Sequence, residues 1–319
     1  MMPCKLRVWT SSLGHWLCKK FLPAASGCFL GRGQGIRPEQ KRRSLLLRAA
    51  SRACAARDAL HVLGLAQTRC SHCLRPFSPA ENPQGTPPAL PLNGPAGLLA
   101  PLCPECCLLF ASYTGPRCPR CGVPPAWSRA EAELAGPRAR TAHIPCGRCL
   151  SQPPPWDGLA YYGLYQGALR DALLRLKFSG ELSLAALLGA CLLEAARCLP
   201  RPDALTAMPQ HPAHLRRRGF NQAHELARAL RSLTDLPLRP DLLRRSIQDA
   251  PQAGLSAAER NRNVRRSFQA SRKTEGLRIW LIDDVMTTGS TLAAATLALR
   301  QAGAKEVHVL FAARTPRYF

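Results

Sequence analysis

The chain has 319 residues, 46% of them apolar and 20% charged, enough to bury a sizeable core and to fill about two domains. No run approaches the roughly 18 uninterrupted apolar residues of a membrane-spanning helix, and the best candidate, "SLAALLGACLLEAARCL", is interrupted by Glu194. With 44 Lys and Arg against 20 Asp and Glu the formal net charge is +24, which favours polyanionic partners such as nucleic acid or phosphorylated substrates.

Residues 1–69 hold 13 basic and 2 acidic side chains, so the remaining 250 residues still carry +13. Within residues 1–69, residues 1–43 read as a basic, disordered extension. Lys5, Arg7, Lys19 and Lys20 are scattered among short apolar runs, which is not the charged-then-apolar order of a secretory signal, and a cytoplasmic, reducing setting is expected. Residues 44–69 form one helical unit: from Ser44 to Leu65 apolar residues recur at helical spacing, with Gly64 at the end.

Residues 70–150 change character. Eight of the fifteen cysteines fall into four CxxC pairs: Cys70/Cys73, Cys103/Cys106, Cys118/Cys121 and Cys146/Cys149. Two thiolates three apart grip one tetrahedral zinc, and two such pairs complete a Cys4 site, so two structural zinc ions are expected in a double zinc ribbon. Sequential pairing, first with second and third with fourth, keeps each ribbon local. The segment is poor in large apolar residues, so metal binding would supply its folding energy. His72, inside the first pair, is expected to stand beside the metal rather than on it. Cys107 has no CxxC partner, and Cys191 and Cys198 read as apolar-face residues of a helix.

After the stiff linker "SQPPPW" the pattern alternates strand with helix over 151–319, which implies a parallel sheet with ligands at the carboxyl ends of its strands. The strands are "LAYYGLY", "ALTAMP", "LRIWLID" and "EVHVLFAAR"; the helices are "QGALRDALLRLKF", "LSLAALLGACLLEAARCL", "NQAHELARALRSL" and "STLAAATLALRQAGA". "WLIDDVMTTGSTL" then carries the chemistry. Asp283 and Asp284 follow an apolar run and repel one another, an arrangement that vicinal hydroxyls accept and a divalent metal relieves. The amides opening the next helix, with the hydroxyls of Thr287, Thr288, Ser290 and Thr291 and the tight turn at Gly289, suit a phosphate dianion. Phosphate beside diol beside metal describes a ribose 5-phosphate. No Lys follows the glycine, so a Walker A loop is excluded. A bare Ser or Thr helix cap explains Ser290 or Thr291 alone.

Clustered Arg216, Arg217 and Arg218 suit a diphosphate leaving group, or form a solvated basic helix start. Asn221 and Gln222 offer amide edges to a base or diphosphate, or cap a helix. Lys177 reaches phosphate, or is a surface charge.

"WLIDDVMTTGST" closely resembles the phosphoribosyl-diphosphate (PRPP) motif of type I phosphoribosyltransferases. The order of zinc ribbon, "LKFSG", "RRRGFNQ", "LSAAERNRNV" and "IDDVMTTGST" over residues 65–315 resembles the ComF family, which joins such a ribbon to such a domain; Gln210 in "MPQHP" departs from the family pattern. The resemblance implies a Rossmann-like α/β fold. It places Asp283 and Asp284 on the ribose hydroxyls and Thr287 to Thr291 on the 5-phosphate; Lys177, Arg216, Arg218, Asn221 and Arg260 are the candidates for the diphosphate. Arg260 would belong to a mobile hood. It further implies Mg2+ bound with PRPP, transfer to an unknown acceptor, and a part in DNA uptake with single-stranded DNA and other competence proteins as partners. Non-catalytic PRPP sensing or single-strand binding is the alternative.

Overall fold

The computed structural model describes residues 68–77, 101–125, 144–245 and 267–316. The expected extension, the helix over 44–65 and the hood with Arg260 lie outside the described residues. Two compact units divide the chain, Met1–Thr68 and Arg69–Phe319, and only Thr68 of the first is described.

Within the second unit the central sheet has four parallel strands in the order β3–β8–β7–β4: β3 (Gly158–Leu164), β4 (Ala204–Ala207), β7 (Arg278–Met286) and β8 (Glu306–Arg314). β8 is buried over eight of its nine residues, as a central strand covered on both faces must be, hence its nearly unbroken apolar run "VHVLFAA". Beyond β4, Leu205 pairs in parallel with Leu238. A short antiparallel pair, β5 (Leu243–Arg245) with β6 (Phe268–Ala270), was not anticipated from the sequence.

The helices α3 (Gly167–Leu174), α4 (Leu184–Ala195), α6 (Gln222–Leu233) and α7 (Ser290–Gln301) fall where the periodicity puts them. In α6 the buried residues Ala223, Leu226, Ala227 and Leu230 form one stripe at i, i+3, i+4 and i+7. The first expected helix is shorter than its pattern: α3 gives way to a π-helical turn, Arg175–Ser179, closed by Gly180. An extra helix, α5 (Pro212–Arg218), carries the three arginines in its last turn. β7 also runs further than its apolar residues, through both aspartates to Met286, because its pairing with β8 continues to Met286↔Arg314.

The cysteine segment contributes two short strands, β1 (Thr68–Arg69) and β2 (Pro76–Phe77), bracketing the first CxxC pair. It also contributes two short helices, α1 (Pro104–Leu109) and α2 (Gly147–Ser151). Cys70, Cys103, Cys106 and Phe110 share one core with Tyr162, Leu188 and the sheet. Cys118, Cys149 and Val123 form a small core of their own.

Candidate functional site

Asp283 and Asp284 stand near the carboxyl end of β7, and each carboxylate first accepts from the chain ahead of it: Asp283 Oδ1 from the Asp284 amide and Asp284 Oδ1 from the Val285 amide, both at 2.9 Å. Asp284 is buried, and its Oδ2 accepts from Gln222 Nε2 at 3.1 Å and lies 3.9 Å from Lys177 Nζ. Burial first, and the Asp284 charge next, hold the Asp283 carboxyl well above the usual carboxylate range.

Asp283 and Thr291 line an open cleft of about 480 Å³, and Asp284 is not among its lining residues. Lys177, Arg217, Arg218 and Arg245 line the same cleft, so cations share it with the Asp283 carboxylate. Of the arginine cluster, Arg217 and Arg218 are on the cleft and Arg216 is not among its lining residues. Phe178 is 67% exposed on this cleft, with Arg218 Cζ 5.5 Å and Lys177 Nζ 5.7 Å from its ring centroid.

Helix α7 opens on this cleft. Its N-cap is Gly289 at φ +80, a left-handed turn that glycine takes without strain, and no side chain caps it from there. Thr288 Oγ1 lies 3.0 Å from Ser290 Oγ and 3.4 Å from the Ser290 amide, so these two hydroxyls sit together at the helix start. No acidic residue occupies the first turn, which leaves the positive end of the helix dipole to an anion.

Asn221 is spent on the fold. Its Oδ1 caps α6 by accepting from the Ala223 and His224 amides, at 3.0 and 3.4 Å, and its Nδ2 donates to the Met208 carbonyl at 3.0 Å. Gln222, next to it, links the two charge types: its Oε1 accepts from Arg218 Nη1 at 2.5 Å and from Gln210 Nε2, while its Nε2 donates to Asp284.

The eight CxxC cysteines gather as two clusters, Cys70–Cys73–Cys103–Cys106 and Cys118–Cys121–Cys146–Cys149, with the sulfurs of each within 4.8 Å of one another. This is the sequential pairing. The sulfur separations of 3.8 Å for Cys73–Cys103 and 3.7 Å for Cys121–Cys146 match the edge of a tetrahedron with bonds of about 2.3 Å and are far beyond a disulfide. The two clusters can therefore each hold a metal ion such as zinc.

The clusters are built alike. In each, the first pair lies on a turn in which the first cysteine's amide reaches the residue five on (Cys70 to Arg75, Cys118 to Val123) and the residue after the second cysteine has positive φ. The second pair starts a helix, with Cys103 and Cys146 as N-caps. Burial works against ionisation at Cys70 and Cys118, but surrounding backbone amides outweigh it and hold both thiols at about 7. Burial and neighbouring sulfurs push Cys106 and Cys149 up. His72 is outside the tetrad, with Nδ1 3.6 Å from Cys106 Sγ and Nε2 3.3 Å from Asp171. Cys191 is buried in α4 as expected; Cys198 is exposed on the 3-10 turn Ala196–Cys198, where the helix has already ended.

The comparisons with known proteins follow this division. Residues 215–318 match the model of the phosphoribosyl transferase domain. The DNA utilization protein YhgH of Escherichia coli K12 is 34% identical over 204 residues, 62% of this chain and 84% of the relative. Competence protein F of Haemophilus influenzae is 36% identical over 178 residues, 53% and 78% of the two chains. The chain belongs to the ComF family. A glutamine PRPP amidotransferase structure from B. subtilis also matches, 23% identical, covering 43% of this chain and 30% of that one, with a TM-score of 0.32.

In this ComF chain the segment matched to the phosphoribosyl transferase domain runs from the arginine cluster to the last strand, and both cysteine clusters lie upstream of it. Gln222, one of the amide edges singled out from the sequence, lines the cleft, but its link from Arg218 to Asp284 is not readable there. Two further residues carry no sequence signal: Trp156 reads as the end of a linker and Arg314 as a strand terminus. Arg314 is fully buried, and its guanidinium donates to the carbonyls of Met286, Thr287, Thr315 and Cys121.

Proposed function

We propose that this protein binds PRPP with Mg2+ in the cleft below α5 and transfers the phosphoribosyl group to an acceptor, in the cytoplasm and in the service of DNA uptake or utilization. The observation that carries the reading is that Asp283 of the β7 pair and the hydroxyl-rich start of α7 meet on one cleft that Lys177, Arg217, Arg218 and Arg245 also line. Asp283 and Asp284 would accept from the ribose hydroxyls, and the loop Thr287–Thr291 would hold the 5-phosphate. Arg217, Arg218 and Lys177, which line the cleft, would stabilise charge on the departing diphosphate. The residues fit Mg2+, since two adjacent carboxylates and a diphosphate are hard oxygen ligands; when bound, it would neutralise charge on the leaving group. In the reaction the C1–oxygen bond to diphosphate breaks through an oxocarbenium-like state and a bond from the acceptor to C1 forms. Gln222 keeps Asp284 and Arg218 in one network, so ribose and diphosphate ends are aligned together. The two cysteine clusters would each hold a structural zinc ion.

A second reading, binding of PRPP or of single-stranded DNA without turnover, draws support from Phe178. An exposed ring flanked by Lys177 and Arg218 suits stacking of an unpaired base above a phosphate backbone. The names of the relatives, competence protein F and DNA utilization protein, fit either reading. Incubation with Mg-PRPP and a panel of free bases and single-stranded oligonucleotides separates them: diphosphate release with one acceptor supports transfer, and binding without release in all of them supports the second.

A further inference from the structure

Three consecutive carbonyls of the second cysteine cluster, those of Arg120, Cys121 and Gly122, are each taken by a core side chain of the sheet domain. Trp156 Nε1 donates to Arg120 O at 2.7 Å, Arg314 Nε to Cys121 O at 2.9 Å, and Tyr161 Oη to Gly122 O at 2.8 Å. Two of these three side chains also hold the loop assigned to the 5-phosphate. Arg314 Nη1 donates to Met286 O at 2.8 Å and Thr287 O at 2.5 Å, where β7 becomes the loop. The Trp156 ring lies under Gly289: a Cβ there would stand 3.2 Å from Cη2. The ribose pair has no such link, since Asp284 is held by Gln222 and Lys177.

We propose that Arg314 is a positioning residue for the 5-phosphate loop, and that through it and Trp156 the second cysteine cluster is coupled to phosphate binding. This rests on the PRPP reading of that loop. Only a planar fork with several fixed donors can serve carbonyls on two segments at once; the compact ammonium of lysine keeps the charge and loses the fork. With Cys118 and Cys121 fixed by metal, the carbonyls on this turn are fixed too. The guanidinium then holds the loop entrance in the position from which the α7 amides face the ligand. Metal lost from Cys118, Cys121, Cys146 and Cys149 frees the turn and with it the loop. Because coupling between binding sites is reciprocal, ligand in the loop must in turn retain the metal.

The test uses the full chain as purified with its metal. Amide hydrogen exchange of residues 287–292 is followed without ligand. Alkylation of each cysteine under a soft-metal chelator that leaves Mg2+ free, read by mass spectrometry, is followed with and without Mg-PRPP. In the wild type, Mg-PRPP should slow alkylation of Cys118, Cys121, Cys146 and Cys149 about tenfold. Arg314→Lys should keep its metal content and circular dichroism, exchange the loop amides faster, bind Mg-PRPP about tenfold more weakly and lose the ligand-dependent protection of these cysteines. Wild-type exchange together with undiminished protection in Arg314→Lys would overturn the proposal. Should that variant not fold, Trp156→Phe, which keeps an aromatic side chain but removes both the indole donor and the Cη2 edge under Gly289, is read for the same two outcomes. If the wild type binds no Mg-PRPP, the PRPP reading fails; the coupling is then decided by loop exchange alone, in Arg314→Lys and after metal removal.

Discussion

Asn221 and Gln222 are neighbours with opposite consequences for a substitution. Asn221 has both ends of its amide on backbone groups, so Asn221→Ala should cost about 1 kcal/mol as a lost helix cap and lower the melting temperature while leaving Mg-PRPP affinity nearly intact. Gln222→Leu fills similar space but cuts the link from Arg218 to Asp284. Its affinity for Mg-PRPP, measured by calorimetry, should fall about tenfold. Asp283 sets a pH dependence. Its carboxyl, raised by burial and by Asp284, keeps its proton where an ordinary aspartate has lost it, whereas a carboxylate that accepts from ribose hydroxyls must be ionised. A raised carboxyl also stabilises the free fold at low pH, and that contribution fades as pH rises through the raised value. Because binding needs the ionised form, the melting-temperature shift produced by Mg-PRPP should grow as pH rises toward and through the raised value of Asp283, and a shift that shrinks with pH would refute this role for Asp283. The acidic pair and the hydroxyl loop were legible in the sequence because nine contiguous residues, Asp283–Thr291, carry them. The pairing of Gln222, whose amide the sequence does single out, and the whole role of Arg314 were not, because their partners lie 62 residues away at Asp284 and 193 away at Cys121, and no local pattern encodes such a pairing.

Among the elements, the parallel strands and long helices follow from periodicity, since each buries one stripe or one uninterrupted apolar run. What periodicity missed has local causes. The strand β7 outlasts its apolar residues because ladder pairing to β8 continues under the aspartates. The Arg216–Arg218 stretch becomes the end of a helix because Pro212 starts one and Gly219, at φ +83, stops it. The two cysteine clusters use one turn twice, with Leu74 and Gly122 at the equivalent positive-φ position. At the second, a Cβ would stand 2.7 Å from the Tyr161 ring, so Gly122→Ala should loosen the second cluster in particular. Purified protein should contain about two zinc ions per chain by metal analysis, and Cys118→Ser about one. Protein with no metal and with the eight cysteines joined as disulfides would contradict the cluster assignment.

For the whole molecule, part of the +24 charge gathers, among the described residues, on the cleft lined by Lys177, Arg217, Arg218 and Arg245. Among the described residues no helix is long and apolar enough to cross a membrane. Single-stranded oligonucleotide should bind weakly, with affinity falling with salt at a log–log slope of about −0.7 per phosphate neutralised; saturating Mg-PRPP should compete only in part, because the charge extends beyond the cleft. Anisotropy that is insensitive to salt would remove a strand-binding role. The central claim is that the β7 carboxylates hold the ribose of PRPP. The direct measurement is the melting-temperature shift that Mg-PRPP gives the wild type and the Asp283→Asn, Asp284→Asn double variant, whose fold is checked by circular dichroism. A ligand that binds the native state alone stabilises it by mass action, about 2.7 kcal/mol at a hundredfold excess over Kd. The account predicts a clear upward shift for the wild type and none for the folded double variant; an equal shift in both would contradict it.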